Sequence, residues 1–269
     1  MPWTTPAQHP AGGTPMQQGD IALDVVGVSK SFGGVHAVSD ASLQVRCGER
    51  HALIGPNGAG KTTLFNLIAG ELPVDTGSIT LFGKDITRLP VEQRARLGLG
   101  RTYQISQLFN GLTVADNLAL AATRGRHRAF RIFSSRSADP QLQVEVEQVA
   151  ETVRLAGRLG HAVSELSHGE QRQLEIGMVL AMGPELIMLD EPAAGLSPAE
   201  RVTLLEVIEA LPKGRTLILI EHDMELVLRV AERITVLNRG HQIAEGSPAE
   251  IRANETVQDI YLGSAAHHD

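Results

Sequence analysis

His51-Ala52-Leu53-Ile54-Gly55-Pro56-Asn57-Gly58-Ala59-Gly60-Lys61-Thr62 is the stretch that decides the fold. Four residues of strand character run into a full match to G-x-x-x-x-G-K-[ST], and a helical pattern follows over 61–69. The motif needs that strand, loop and helix around it to carry meaning. Its glycines let backbone N–H groups close around phosphates, and the start of the helix adds positive potential. Lys61 can then reach the β and γ oxygens, and the Thr62 hydroxyl can hold Mg2+. The expected ligand is a nucleoside triphosphate, with Gly55, Pro56, Asn57, Gly58, Ala59, Gly60, Lys61, Thr62 and Thr63 forming the candidate cradle. A Gly-rich turn that spells the motif by chance would lack the matching strand and helix.

Outward from the loop, short β-branched or apolar runs at 23–28, 43–45, 78–82, 186–189, 216–220 and 234–237 read as strands. Helical periodicity appears at 144–155 and 171–182. The alternation predicts an α/β core with a mainly parallel sheet and an antiparallel β portion. Between 113 and 182 no strand pattern but three helical ones occur, which predicts a helical subdomain over about 105–182 inside a domain spanning 20–263. Residues 1–19, rich in proline and glycine, hold too little apolar surface to offset ordering entropy and read as a disordered tail. Residues 264–269 read as a short C-terminal tail.

The composition narrows the class. In 269 residues, no run of about 18 apolar positions suits a membrane span, and the opening residues lack the order of a secretory signal, so a cytosolic chain is expected. A single cysteine, Cys47, excludes an internal disulfide. The net charge of −7 argues against a general nucleic-acid coat, which works by neutralising phosphates with Lys and Arg.

A phosphate loop alone leaves kinases, GTPases, helicases and transport ATPases open. Leu186-Ile187-Met188-Leu189-Asp190-Glu191 is an apolar strand ending in two carboxylates, the form expected if Asp190 holds Mg2+ and Glu191 polarises an attacking water. The alternative is that the acidic pair caps a helix. Leu166-Ser167-His168-Gly169-Glu170-Gln171 lies just upstream of that strand.

The order of phosphate loop, Gln104, this Ser-x-Gly segment, the Asp190-Glu191 pair and His222 resembles the ABC transporter ATPase family, over nearly all of 23–263. The resemblance implies a P-loop NTPase core of the ABC-ATPase type binding ATP and Mg2+. It implies that Phe32 stacks on adenine and that Gln104 touches Mg2+ or the attacking water. His222 would bond the γ-phosphate, with Glu191 as the catalytic carboxylate. Ser167, Gly169 and Glu170 would meet the nucleotide of an opposite subunit. Two departures stand out: His168 and Glu170 replace a glycine and a glutamine of the usual Leu-Ser-Gly-Gly-Gln, and Ser197 stands where the loop after Glu191 usually ends in aspartate.

Further segments resemble ATPases of importers for branched-chain amino acids and related solutes: Arg101-Thr102-Tyr103-Gln104, Leu108-Phe109, Leu112-Thr113-Val114 with Asn117, Leu174-Glu175-Ile176-Gly177, Pro192-Ala193-Ala194-Gly195-Leu196-Ser197-Pro198 and Tyr261-Leu262-Gly263. The separation of Gln104 from Ser167 favours the longer of the two ATPases such importers use. Urea, amide and aromatic-acid importers share these segments. The implied partners are a second ATPase subunit, identical or different, two integral-membrane permeases and, indirectly, a periplasmic solute-binding protein, with no nucleic acid. The implied place is cytoplasmic, peripheral on the inner face of the cell membrane. The surface over 105–117, carrying Leu108, Phe109, Leu112 and Val114, is the expected permease dock, although Val114 also suits the core of the helical insert. The run from Arg124 to Arg136 reads either as a solvated connector or as a contact for anionic lipid head groups. Two rival classes remain: a soluble ABC protein without a membrane partner, and a regulatory subunit that hydrolyses poorly.

Overall fold

The computed structural model describes residues 17, 19–102, 108–123 and 139–265, with side chains through residue 260. Its strands fall into two sheets. β1 (Ile21–Phe32) and β2 (Val35–Arg46) form a long antiparallel hairpin. β4 (Thr76–Leu81) pairs with the other side of β1, and the short β5 (Lys84–Asp85) extends that sheet. In the second sheet β9 (Arg233–Asn238), β3 (Arg50–Ile54), β8 (Thr216–Ile220), β7 (Leu186–Asp190) and β6 (Leu99–Arg101) lie side by side and parallel. β10 (His241–Gly246) closes one edge, antiparallel to β9. The α/β architecture is the expected one, with the antiparallel β portion as a separate sheet.

Continuous apolar runs become strands buried on both faces, as parallel strands require. Every residue of β7 and β8 is buried. Because successive side chains point to opposite faces, each strand feeds two cores. Leu186, Met188, Ile218 and Ile220 face a cluster with Leu23, Val25 and Ile79 of the antiparallel sheet and Phe65 of α1 (Lys61–Ala69). Ile187, Leu189, Leu217 and Leu219 face the opposite cluster, with α3 (Val114–Thr123), α4 (Pro140–Thr152), α5 (His168–Ala181) and α6 (Pro198–Ala210). A β-carbon at Gly177 of α5 would stand 3.1 Å from both Leu118 of α3 and Val153 just beyond α4, so its absence lets three helices meet closely. These three are the α-helices described between 113 and 182, with two short 3-10 turns at Ala156–Arg158 and Val163–Glu165.

α2 (Val91–Arg96) carries a fully buried cation that steadies α1. Arg94 donates to the carbonyls of Leu67 and Ile68, 2.7 Å each, in the last turn of α1, where carbonyls otherwise lack partners. Burial holds its pKa down to about 10, so it remains charged at neutral pH. α7 (Met224–Val230), α8 (Pro248–Ala253) and α9 (Glu255–Ala265) complete the chain.

Element limits shift where the end signals are polar. The helix expected from 144 begins at Pro140, because Asp139 caps it through the amides of Gln141 and Leu142. The helix expected from 171 begins at His168, behind Ser167 as its cap. The strand expected to 82 stops at Leu81, since Phe82 adopts φ 48°.

Candidate functional site

Parallel strands leave their C-terminal ends on one edge of the sheet, and that edge is where open α/β sheets bind ligands. Here β3 runs into Gly55, β7 ends at Asp190 with Glu191 next, β8 runs into Glu221 and His222, and β6 ends at Arg101. Asp190 and Leu53 both register with Ile220, so β8 stands between the phosphate loop and the acidic pair.

The loop over 55–60 depends on glycine at two places. Gly55 (φ 154°) and Gly60 (φ 100°) have backbone conformations that L residues rarely adopt, and a β-carbon on them would meet the carbonyls of Leu237 at 2.2 Å and Ala37 at 2.3 Å. α1 begins at Gly60 with no side-chain cap and no acidic residue in its first turn. By contrast α4, α5, α6, α7 and α8 each begin on an Asp or Ser that caps them. An uncapped helix start facing a glycine loop offers its N–H groups to an anion. Lys61 is buried and donates from Nζ to Gly55 O at 2.7 Å and Pro56 O at 3.1 Å. Burial lowers its pKa, and the nearby Glu191 and Asp190 charges oppose that shift. Thr62 and Thr63 are half-buried in the same turn.

Across β8, Asp190 is almost wholly buried, which pushes its pKa up, and Arg101 opposes the rise. Arg101 donates to Asp190 Oδ2 at 3.0 Å, pairs with Glu71 at 3.2 Å and lies 5.3 Å from the centre of the Phe65 ring. Sequence reasoning gave Arg101 no role, because its partners are far away in the chain. Asp190 Oδ1 is buried and without a protein partner. A buried carboxylate oxygen left open, next to a loop that carries a lysine, fits a divalent cation. Among the described residues no cluster of three or more His, Cys, Asp or Glu could hold a metal, so the rest of such a cation's shell would come from Thr62 and from ligand oxygens. Glu191 has φ 45°, a strained backbone for a non-glycine residue, and its N–H donates to Ile220 O at 3.0 Å. His222 is exposed beyond β8.

The Ser-x-Gly segment is built differently. Ser167 caps α5 by accepting from Glu170 N, and the Glu170 carboxylate accepts from Ser167 N at 2.9 Å while pairing with Arg158 at 2.8 Å. Glu170, a departure from the usual glutamine, therefore completes a capping box. Ser197 does the same for α6 with Glu200, whose Oε2 accepts from Ser197 N at 3.0 Å. The other oxygen of Glu200 reaches back: Oε1 accepts from Gly169 N at 2.9 Å and from Ser167 Oγ at 3.4 Å. These donors hold the Glu200 pKa down to about 2, the Ser197 hydroxyl first among them. Ser197, Glu200, Ser167 and Gly169 thus form one bonded unit joining the loop after Glu191 to the start of α5. No hydrogen bond joins the segment to the phosphate loop among the described residues.

Phe32 sits at the tip of the β1–β2 hairpin, 46% exposed, with Lys30 Nζ 5.6 Å from its ring centre, so the ring is open to stacking. Gln104 and the run from Arg124 to Arg136 lie outside the described residues. The apolar group after Gln104 divides: Val114 enters the core, Leu108 packs partly against it, and Phe109 stays 53% exposed. Asn117, fully buried, grips Phe109 from both sides, accepting from its N–H at 2.9 Å and donating to its carbonyl at 3.2 Å. No helix among the described residues is long and apolar enough to cross a membrane.

Residues 38–194 match the family model described as ABC transporter, and residues 241–267 match that described as branched-chain amino acid ATP-binding cassette transporter. The chain is 42% identical over 254 residues to the high-affinity branched-chain amino acid transport ATP-binding protein LivG of Salmonella typhimurium, covering 90% of this chain and 98% of that one. It is 36% identical over 242 residues to the lipopolysaccharide export system ATP-binding protein LptB of Escherichia coli K12, covering 90% and 97%. Among solved structures, the ADP conformation of MJ1267, an ATP-binding cassette of an ABC transporter, superimposes with a TM-score of 0.76 at 31% identity, covering 90% of this chain and 99% of that chain.

Proposed function

The chain belongs to the ABC transporter ATPase family, and from that premise we propose that it is one half of a paired ATP-hydrolysing motor for an importer of branched-chain amino acids or related small polar solutes. The observation that carries the motor reading is the meeting of Lys61, Asp190, Glu191 and His222 along one edge of the parallel sheet. The C-terminal match at 241–267 supports the solute class. The likeness to LptB keeps a second reading in view, an ATPase serving lipopolysaccharide export.

In this reading the loop N–H groups and Lys61 hold the β and γ phosphates, and Phe32 stacks on the adenine. Mg2+, held by Thr62, Asp190 and Gln104, would neutralise charge that develops on the phosphates. Glu191 accepts a proton from the attacking water, and the exposed His222 ring bonds the transferred group. Ser167 and Gly169 complete the site of a second ATPase subunit, so two chains are needed for turnover. Two permeases anchor the pair to the inner face of the membrane, and Phe109, held firm by Asn117, is the apolar anchor offered to them. A periplasmic receptor chooses the solute, so this chain needs no solute pocket.

The test is reconstitution with candidate permeases and a second ATPase subunit, followed by ATPase assays with receptor and candidate solutes. Stimulation by a branched-chain amino acid, with uptake into the vesicle, is the expected result. Stimulation by lipopolysaccharide and by no amino acid would replace the importer reading with the exporter one.

A further inference from the structure

Glu221 is fully buried, immediately beyond the end of β8, and the reading above gives it no task. Its Oε1 accepts from Ala193 N at 2.9 Å and its Oε2 accepts from His222 N at 3.1 Å, and the nearby Asp223 N–H also favours its charged form. The described basic side chain within ion-pair distance of it is His222, whose Nδ1 lies 3.8 Å from Oε2 on an exposed ring. A buried carboxylate that is satisfied by backbone N–H groups instead of Arg or Lys is costly to keep, because burial works against its charge. Burial does push its pKa up, while the three N–H groups pull against that shift. Such a group is retained where it holds something in place.

What it holds are the two segments flanking the reaction. Glu191 has a left-handed backbone (φ 45°), a strained conformation that persists only when its surroundings fix it. Its own N–H is tied to Ile220 O at 3.0 Å, on the residue before Glu221. Two positions on, Ala193 N is tied to the Glu221 side chain, and the next residue closes a turn, with Ala194 N donating to Glu191 O at 3.0 Å. The short turn that aims Glu191 is therefore pinned to the end of β8 at both sides, by a main-chain carbonyl and by Glu221. The other oxygen of the same carboxylate fixes the backbone from which His222 projects.

We infer that Glu221 is a positioning residue that sets Glu191 and His222 relative to each other, so that the carboxylate and the histidine form one unit and not two independent groups. The inference rests on the reading of Glu191 as the catalytic carboxylate. Glu221→Gln keeps the size of the side chain but turns an amide donor toward backbone donors, which breaks one tie. Misplacing a reacting group by about 1 Å can cost roughly 100-fold.

The experiment is a double-mutant cycle in the assembled transporter, reading kcat, KM for ATP, equilibrium ATP binding and thermal unfolding for Glu191→Gln, Glu221→Gln and the double variant. Glu191→Gln alone is expected to lower kcat by about 10²- to 10⁴-fold and keep ATP binding. Glu221→Gln is expected to lower kcat by about 10- to 100-fold with KM and ATP affinity little changed, and to add almost nothing on top of Glu191→Gln, as groups acting as a unit do. Additive losses, or a fall in ATP binding that matches the fall in kcat, would overturn the inference. Near-normal turnover in Glu191→Gln would instead overturn the reading it rests on. If Glu221→Gln does not fold, Glu221→Asp, which keeps the charge and shortens the reach, is read by the same criteria.

Discussion

The starts of α1 and α5 are made of similar parts, a glycine-bearing turn leading into a helix, yet they are finished in opposite ways. α1 begins on Gly60 with no side-chain cap and no acidic residue in its first turn, and the amine of Lys61 rests on loop carbonyls. α5 begins on Ser167, closed by Glu170, and its Gly169 N–H is already bonded to the carboxylate of Glu200. The first leaves its helix-start donors without a side-chain acceptor, in the form an anion can take. The second carries an internal anion on the donors that the proposed paired site assigns to a partner's phosphate. On the proposed paired reading, one chain receives its nucleotide on open donors, whereas its contribution to a second site requires exchanging Glu200 for phosphate oxygens.

The largest effect should come from the open end. Lys61→Met removes the charge that the loop carbonyls now hold, and a charged hydrogen bond is worth about 1.5–3 kcal/mol, so ATP affinity should fall about 10- to 100-fold by calorimetry. Unchanged affinity would mean that Lys61 stays on the carbonyls of Gly55 and Pro56 when nucleotide arrives, and the contrast between the two helix starts would collapse.

A smaller effect is expected at the closed end. Glu200→Gln can still complete the cap with Ser197 but loses the charge beside Gly169 N, so ATP-driven pairing should need about three- to tenfold less ATP, judged by sedimentation at several ATP concentrations. A requirement for more ATP would show that Glu200 braces the segment in the paired state as well. Because the Glu200 pKa is depressed from 4.5 to about 2, its contact is complete above pH 4.5 and is lost only as pH falls toward 2. The difference between wild type and Glu200→Gln should therefore be level across the neutral range.

How much of this was legible in the sequence follows from whether the signal is local. The phosphate loop, the helix over 61–69 and the buried strands over 186–189 and 216–220 are each set by adjacent residues, and the structure has them where the pattern puts them. β6 has three residues and pairs with a strand far downstream, and half-exposed β10 has no clean alternation, so neither had a readable pattern. The capping box of Ser197 with Glu200 was readable as S-x-x-E, but the reach of Glu200 to Gly169 depends on α5 and α6 being neighbours. The same holds for Arg101 on Asp190 and for Glu221 on Ala193: each bond spans a fold contact that no spacing rule reports. Of the departures, Glu170 and Ser197 serve as helix caps, a part the usual glutamine and aspartate would also fill, while His168 lies beside Gly195, and nothing in the structure explains these three exchanges.

On the proposed function the working site is divided between two chains, the phosphate loop from one and the Ser167 segment from the other. Its most direct test takes Glu191→Gln protein, with and without Ser167→Arg, and measures ATP binding and ATP-driven pairing on the same samples, alone and with the transporter's second ATPase. The account predicts equal ATP affinity in both proteins, pairing with ATP in the first and its loss in the second, where bulk and charge fill the junction. Pairing that survives Ser167→Arg, or ATP affinity that falls with it, would contradict the divided site.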